Sequence, residues 1–159
     1  ANDLYEYLVA VQVPFQAYGD WRDDGDEGLV GSIESPLIGY CVLRESATRL
    51  SARATALPKQ GGRLGFVAGW SSRDDCVQID IEAPESDVYV TRAGEITRSW
   101  RLSIRGDASR ERRISLEKIE GRYLLTVDDS KYPNLALPDG RMGFLVGGAT
   151  VNFRDVHWR

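Results

Sequence analysis

Apolar and polar residues alternate with period two along most of this chain. In "LYEYLVAVQVPF" (residues 4–15) Tyr5, Tyr7, Val9, Val11, Val13 and Phe15 fall on one side. In "RLSARATAL" (49–57) Leu50, Ala52, Ala54 and Ala56 alternate with polar neighbours. Successive side chains of a strand point to opposite faces, so these stretches predict strands buried on one face. "RLGFVAGW" (63–70) is a short, nearly continuous apolar run. "CVQIDIEA", "DVYVTR", "SWRLSIRG", "RRISLEKI", "RYLLTVDD", "RMGFLVGG" and "TVNFRDVHW" follow, set apart by Gly, Pro, Asp, Asn or Ser. No segment keeps an apolar stripe at helical spacing over three turns. The nearest, "ASRERRISLEKIEG" (108–121), carries β-branched isoleucines and reads as a hairpin turning at Glu120–Gly121. Residues 16–48 are the least regular, with one or two short strands expected near "GLVGSI" and "YCVLR" between exposed loops.

Many short strands, few helices and 16 glycines predict an all-β, antiparallel two-sheet sandwich. A length of 159 residues suits a single domain over 1–159, and no internal boundary or repeat is visible. The hydrophobic fraction of 42% is enough for a packed core and argues against disorder. A net charge of -4 with both signs scattered argues against a nucleic-acid partner. The one basic cluster, "SRERRIS" (109–115), is broken by Glu111 and reads as a solvated turn entering a strand. No apolar run approaches the roughly 20 residues of a membrane span. No signal peptide is visible, and a start at Ala1 fits a processed chain, so that absence carries no weight. Cys41 and Cys76 cannot make a four-ligand zinc site; they form either one disulfide or two buried thiols.

The stretch "QIDIE" (78–82) raises chemistry. Gln78, Asp80 and Glu82 share one face of a strand, and Ile79 and Ile81 share the other. Arg101, Ser103 and Arg105 share a face opposite Trp100, Leu102 and Ile104. Where two such strands lie close, carboxylates and guanidinium groups converge. Planar groups of this kind suit the paired hydroxyls of a sugar; salt bridging without a ligand is the plain alternative. Trp70, ending a strand, and Trp21, in the acidic loop "GDWRDDGDEG", are the aromatic candidates for stacking on a sugar ring. Tyr18 and Tyr132 are weaker candidates of the same kind, Trp100 belongs to the core, and Trp158 fits either face. His157 is the only histidine, and no "GxSxG" elbow accompanies it. Asp23, Asp24 and Asp26, with Glu27, offer clustered carboxylates to calcium. An EF-hand is excluded, because counting from Asp20 the third position is Arg22 and the twelfth is Gly31.

The order "GGRLGFVAGW", "SSRDD", "CVQIDI", "SWRLSI", "ISLEKIEGRYLLTVDD" and "LPDGRMGFLVGGATVNFRDVHW" resembles the concanavalin A-like lectin/glucanase superfamily. The likeness is to its laminin-G-like and levan-binding-type carbohydrate-binding modules, and it covers roughly residues 48–159. It implies a jelly-roll β-sandwich with a curved sheet, and a sugar on the concave face or the edge loops. Many such modules hold a structural calcium. Glucanases of the superfamily carry a strand reading E-x-D-x-E, whose first Glu is the nucleophile, whose Asp supports it, and whose last Glu is the acid/base. The matching positions are Gln78, Asp80 and Glu82, and an amide at Gln78 cannot form the glycosyl ester of a retaining mechanism.

The expectation is a non-catalytic carbohydrate-binding module, secreted or at the cell surface, beside a parent polysaccharide-degrading enzyme or a cell-surface partner. Its ligand residues are Trp21, Trp70, Gln78, Asp80, Glu82, Arg101 and Arg105, and its calcium residues Asp23, Asp24 and Asp26. The alternatives are a small glycoside hydrolase or lyase using Glu82, Asp80 or a tyrosine, and a laminin-G-type adhesion domain with an exposed apolar patch. Gly147–Gly148 is expected to turn a hairpin, and the last strand to lie beside the first.

Overall fold

In the computed structural model, which describes residues 15–23, 28–56, 62–81, 87–104 and 110–159, the period-two segments form strands and all their pairings are antiparallel. In chain order they are β1 (Phe15–Tyr18), β2 (Asp20–Asp23), β3 (Leu29–Leu43), β4 (Arg49–Ala56), β5 (Arg63–Ser72) and β6 (Asp75–Asp80). There follow β7 (Asp87–Arg92), β8 (Glu95–Arg101), β9 (Arg112–Ile119), β10 (Arg122–Val127), β11 (Ser130–Leu135) and β12 (Arg141–Trp158).

Two long strands build both layers. The first half of β12 pairs with β5, and its second half pairs with β4. β3 follows it along the other side, pairing β1 near Leu43 and β2 near Leu29. One layer therefore runs β1–β3–β12–β5–β6–β7–β8 and the other β2–β3–β12–β4–β9–β10–β11. The change of layer falls at Gly148, where φ is 57° and the β3–β12 register slips. A left-handed φ costs glycine little, so the strand bends there without breaking. Gly147–Gly148 thus makes a bulge inside one continuous strand, not the expected hairpin. Phe144 before the bend and Phe153 after it stack with centroids 4.4 Å apart.

The core between the layers follows the predicted parity: Leu50, Ala52 and Ala54 of β4 face Phe66, Val77, Ile79 and Phe144 of the other layer. The Glu120–Gly121 hairpin forms as read, with φ of 50° and 79° at the two turn residues. Two other expectations change. "GLVGSI" and "YCVLR" lie on one 15-residue strand, β3, because β12 pairs with it along both halves. The last strand pairs with β3, β4 and β5, and Trp158 meets Phe15 in an edge-on ring contact at 5.5 Å; the rest of the first expected strand, its predicted neighbour, lies outside the described residues. Within the basic cluster Arg112 is buried on the core side of β9, held by Asp128 at 2.7 Å. The strand expected over 4–15 lies outside the described residues except for Phe15.

Candidate binding face

The layer containing β5–β8 carries a second, smaller cluster on the side away from the core. Tyr40, Val42, Val67, Trp70, Cys76 and Leu145 pack there, with Tyr18 and Ile38 against them. The Trp70 ring lies 4.9 Å from Tyr40 and 5.8 Å from Tyr18. The strand register sets the polar continuation. Val42, Gly143, Val67, Gln78, Tyr89 and Ser99 form one row across the layer. Asp80 lies beside Gly65 in the next row, and Asp87 opposite Arg101.

Arg63 organises these rows. Its Nε donates to Asp80 Oδ2 at 2.9 Å and its Nη2 to Asp80 Oδ1 at 2.8 Å. The same Nη2 donates to Gln78 Oε1 at 3.0 Å, and Gln78 Nε2 donates to Tyr40 Oη at 2.6 Å. Both ends of the Gln78 amide are therefore fixed. Beside this chain the Tyr89 hydroxyl donates to Asp87 at 3.0 Å, and Arg101 approaches Asp87 at 3.7 Å. Gln16 donates to the Tyr18 hydroxyl at 2.5 Å and accepts from Arg141 at 3.2 Å.

Burial pushes the Asp80 carboxyl above its ordinary value, and the hydrogen bonds from Arg63 return only part of that shift. Burial also works against the Arg63 charge, but the hydrogen bond and the negative charge of Asp80, with smaller contributions from Tyr40 and Tyr89, together more than reverse it. Both values are raised, which favours the charge on Arg63 and opposes it on Asp80, and the forked geometry belongs to an ionised pair. Such a pair fixes positions more than it adds net stability. The Tyr40 phenol is pushed up by its burial.

The expected site residues divide. Gln78 and Asp80 lie together on this face as their parity required. Arg101 lies on it too, but β7 stands between β6 and β8, so Arg101 meets Asp87 and not Asp80. Glu82 and Arg105 lie outside the described residues. Trp70 is on the same face but only 2% exposed, so it supports the face from below and presents no free ring. Trp21 is a core residue at 1% exposure. Its ring occupies the space left by Gly31, stacks on Phe153 at 5.9 Å and donates its N–H to the Tyr18 carbonyl at 3.0 Å. Both tryptophans stand at strand positions whose neighbours cover them. Of the calcium set, Asp23 ends β2, and Asp24 and Asp26 lie outside the described residues. Among the described residues no three His, Cys, Asp or Glu side chains are placed to hold a metal ion.

Arg63, Tyr89 and Tyr40 were missed from the sequence. Tyr89 was visible by parity, since it alternates with Val88 and Val90, which face the core. Arg63 gave no such signal, because it acts diagonally across Gly65. Cys41 lies in the main core and Cys76 in the smaller cluster on the opposite side of the sheet, both free and fully buried.

No protein-family model and no curated protein matches the chain. Solved structures do. The carbohydrate-binding module CBM66 from Bacillus subtilis superposes with a TM-score of 0.68 at 15% identity, over 90% of this chain and 93% of that one. Sheep galectin-11 gives 0.58 at 13%, over 80% of this chain and 100% of that one. GH43B of the Bacteroides ovatus xyloglucan PUL gives 0.65 at 11%, over 94% of this chain but 37% of that one. The chain has the concanavalin A-like jelly-roll fold of the lectins and glucanases.

Proposed function

We propose that the chain is a non-catalytic carbohydrate-binding module whose saccharide lies over Arg63, Gln78, Tyr89, Asp87 and Arg101. The observation that carries this reading is the hydrogen-bonded chain Asp80–Arg63–Gln78–Tyr40, which holds planar polar groups in fixed orientations beside the half-buried Tyr89 ring. Fixed guanidinium and amide groups suit adjacent sugar hydroxyls, and a phenol ring suits the apolar face of a pyranose or furanose. Little side-chain entropy is then lost on binding. An open sheet face buries less of a ligand than a pocket does, so affinity is modest and is raised by repeated sugar units.

The non-catalytic part rests on the same contacts. The position that would hold a glucanase nucleophile is Gln78, and Asp80 is committed to Arg63. The expected setting is outside the cell, attached to or beside a polysaccharide-degrading enzyme. In its favour, a similar fold forms part of the longer GH43B chain.

A glycan array, run with reducing-sugar and unsaturated-product assays on the same polysaccharides, tests this reading. Binding without turnover is expected, with Tyr89→Ala and Gln78→Ala each weakening it about tenfold. Turnover by the unaltered chain, or binding indifferent to both substitutions, would overturn it.

A further inference from the structure

The opposite layer carries a trough. In register across β12, β4, β9, β10 and β11 stand His157, Ser51, Ser115, Thr126 and Lys131. All lie on the face turned away from the core, alternating with Leu50, Ala52, Ile114, Leu116, Leu125 and Val127 within it. The three middle residues are short hydroxyl side chains on neighbouring strands, about 4.8 Å apart. The rows on either side carry long side chains: Arg49 and Glu117 on one, Arg53 and Arg113 on the other. The result is a groove of about 390 Å³, floored by hydroxyls and flanked on both sides by guanidinium groups. That volume falls in the range of ligand sites.

The charges are unevenly spent. Asp155 holds Arg53 at 3.3 Å. Asp128 accepts from Arg112 at 2.7 Å and from the Arg113 backbone N–H at 3.0 Å. Both carboxylates in the groove are thus engaged. Arg113 reaches out to Asp129, whose side chain is 97% exposed. Arg49 has no carboxylate partner among the described residues; its guanidinium donates only to Ser51 Oγ, at 3.4 Å. A guanidinium aimed at a hydroxyl floor offers the two donor types that a sugar bearing an oxyanion needs.

We propose that this trough is a second saccharide site, specific for chains bearing carboxylate or sulfate groups. Arg49 takes the oxyanion, and Ser51, Ser115 and Thr126 take ring hydroxyls along the groove. It shares no residue with the Arg63 face and stands on its own geometry.

Polygalacturonate and dextran sulfate, with neutral dextran as control, are titrated into the protein at low ionic strength. The expected result is saturable binding of at least one polyanion and none of dextran; which of the two binds tells carboxylate from sulfate. Arg49→Gln weakens it about tenfold, and Ser115→Leu, which fills the floor without altering charge, does the same. Arg98→Gln, on the other layer, leaves it unchanged. Failure of both polyanions to bind, an equal loss in Arg98→Gln, or no loss in Ser115→Leu overturns the proposal.

Discussion

Arg63 and Asp80 meet diagonally across β5 and β6, past Gly65, in a two-pronged contact of 2.9 and 2.8 Å. Asp80 is 7% exposed, so it depends on this guanidinium. Arg63→Leu is expected to destabilise the fold by about 3 kcal/mol, since it strands a buried carboxylate. The double change Arg63→Leu/Asp80→Leu costs less than the sum of the two single ones, because it removes both charges together. Urea denaturation of the four proteins measures the coupling.

The contact needs Gly65 to be bare. A Cβ there would stand 1.8 Å from the Ile79 carbonyl oxygen on β6. Gly65→Ala must therefore push two paired strands apart, and a loss of more than about 4 kcal/mol is expected. Gly121 provides the contrast: its φ is 79°, but nothing lies within 4 Å of a Cβ. Gly121→Ala meets only the backbone preference and costs about 1 kcal/mol. Thermal melts of the two variants separate close approach from turn conformation.

Acid stability depends on Asp128. Burial alone would raise this carboxyl, but hydrogen bonds from Arg112 and the Arg113 N–H outweigh it and hold it below its ordinary 3.8. A depressed folded value contributes stability that is present above the unfolded value and is lost as pH falls through the folded one. Asp128→Asn, which keeps a residue tolerant of the positive φ of 54°, is expected to cost about 2 kcal/mol at neutral pH. The gap from the unaltered protein closes as the pH drops below 3.8. Denaturation midpoints across that range test it.

Cys41 and Cys76 face opposite sides of one sheet, which forbids a bridge between them in the folded chain. Burial raises both thiols, Cys76 to about 11. Neither is expected to react with a thiol reagent under native conditions, and both titrate once the protein is unfolded. Rapid labelling of the native protein contradicts this placement.

Period two made the layers legible: Leu50, Ala52 and Ala54 face the core as read, and so do Ile79 and Ile81. The path between layers was not legible, because Gly147–Gly148 suits a hairpin and an in-strand bulge equally well. Only the pairing of β12 with β3 on both sides of it decides. The two tryptophans were misjudged for a related reason. Trp70 at a strand end and Trp21 in what reads as an acidic loop both look exposed until a neighbour covers them, as Tyr40 covers Trp70 and Phe153 covers Trp21. The polar row was half legible. Parity placed Gln78 and Asp80 on one face, but a diagonal partner such as Arg63 leaves no trace in alternation.

The sugar-binding reading requires ligand at the fixed Gln78 amide. The glycan that binds best on the array is titrated into labelled protein, and the Gln78 side-chain N–H₂ and Arg63 Nε–H resonances are followed. The account predicts that both shift saturably with the affinity measured in bulk, together with the backbone of Tyr89. Saturable binding that leaves these resonances in place while others move would contradict it.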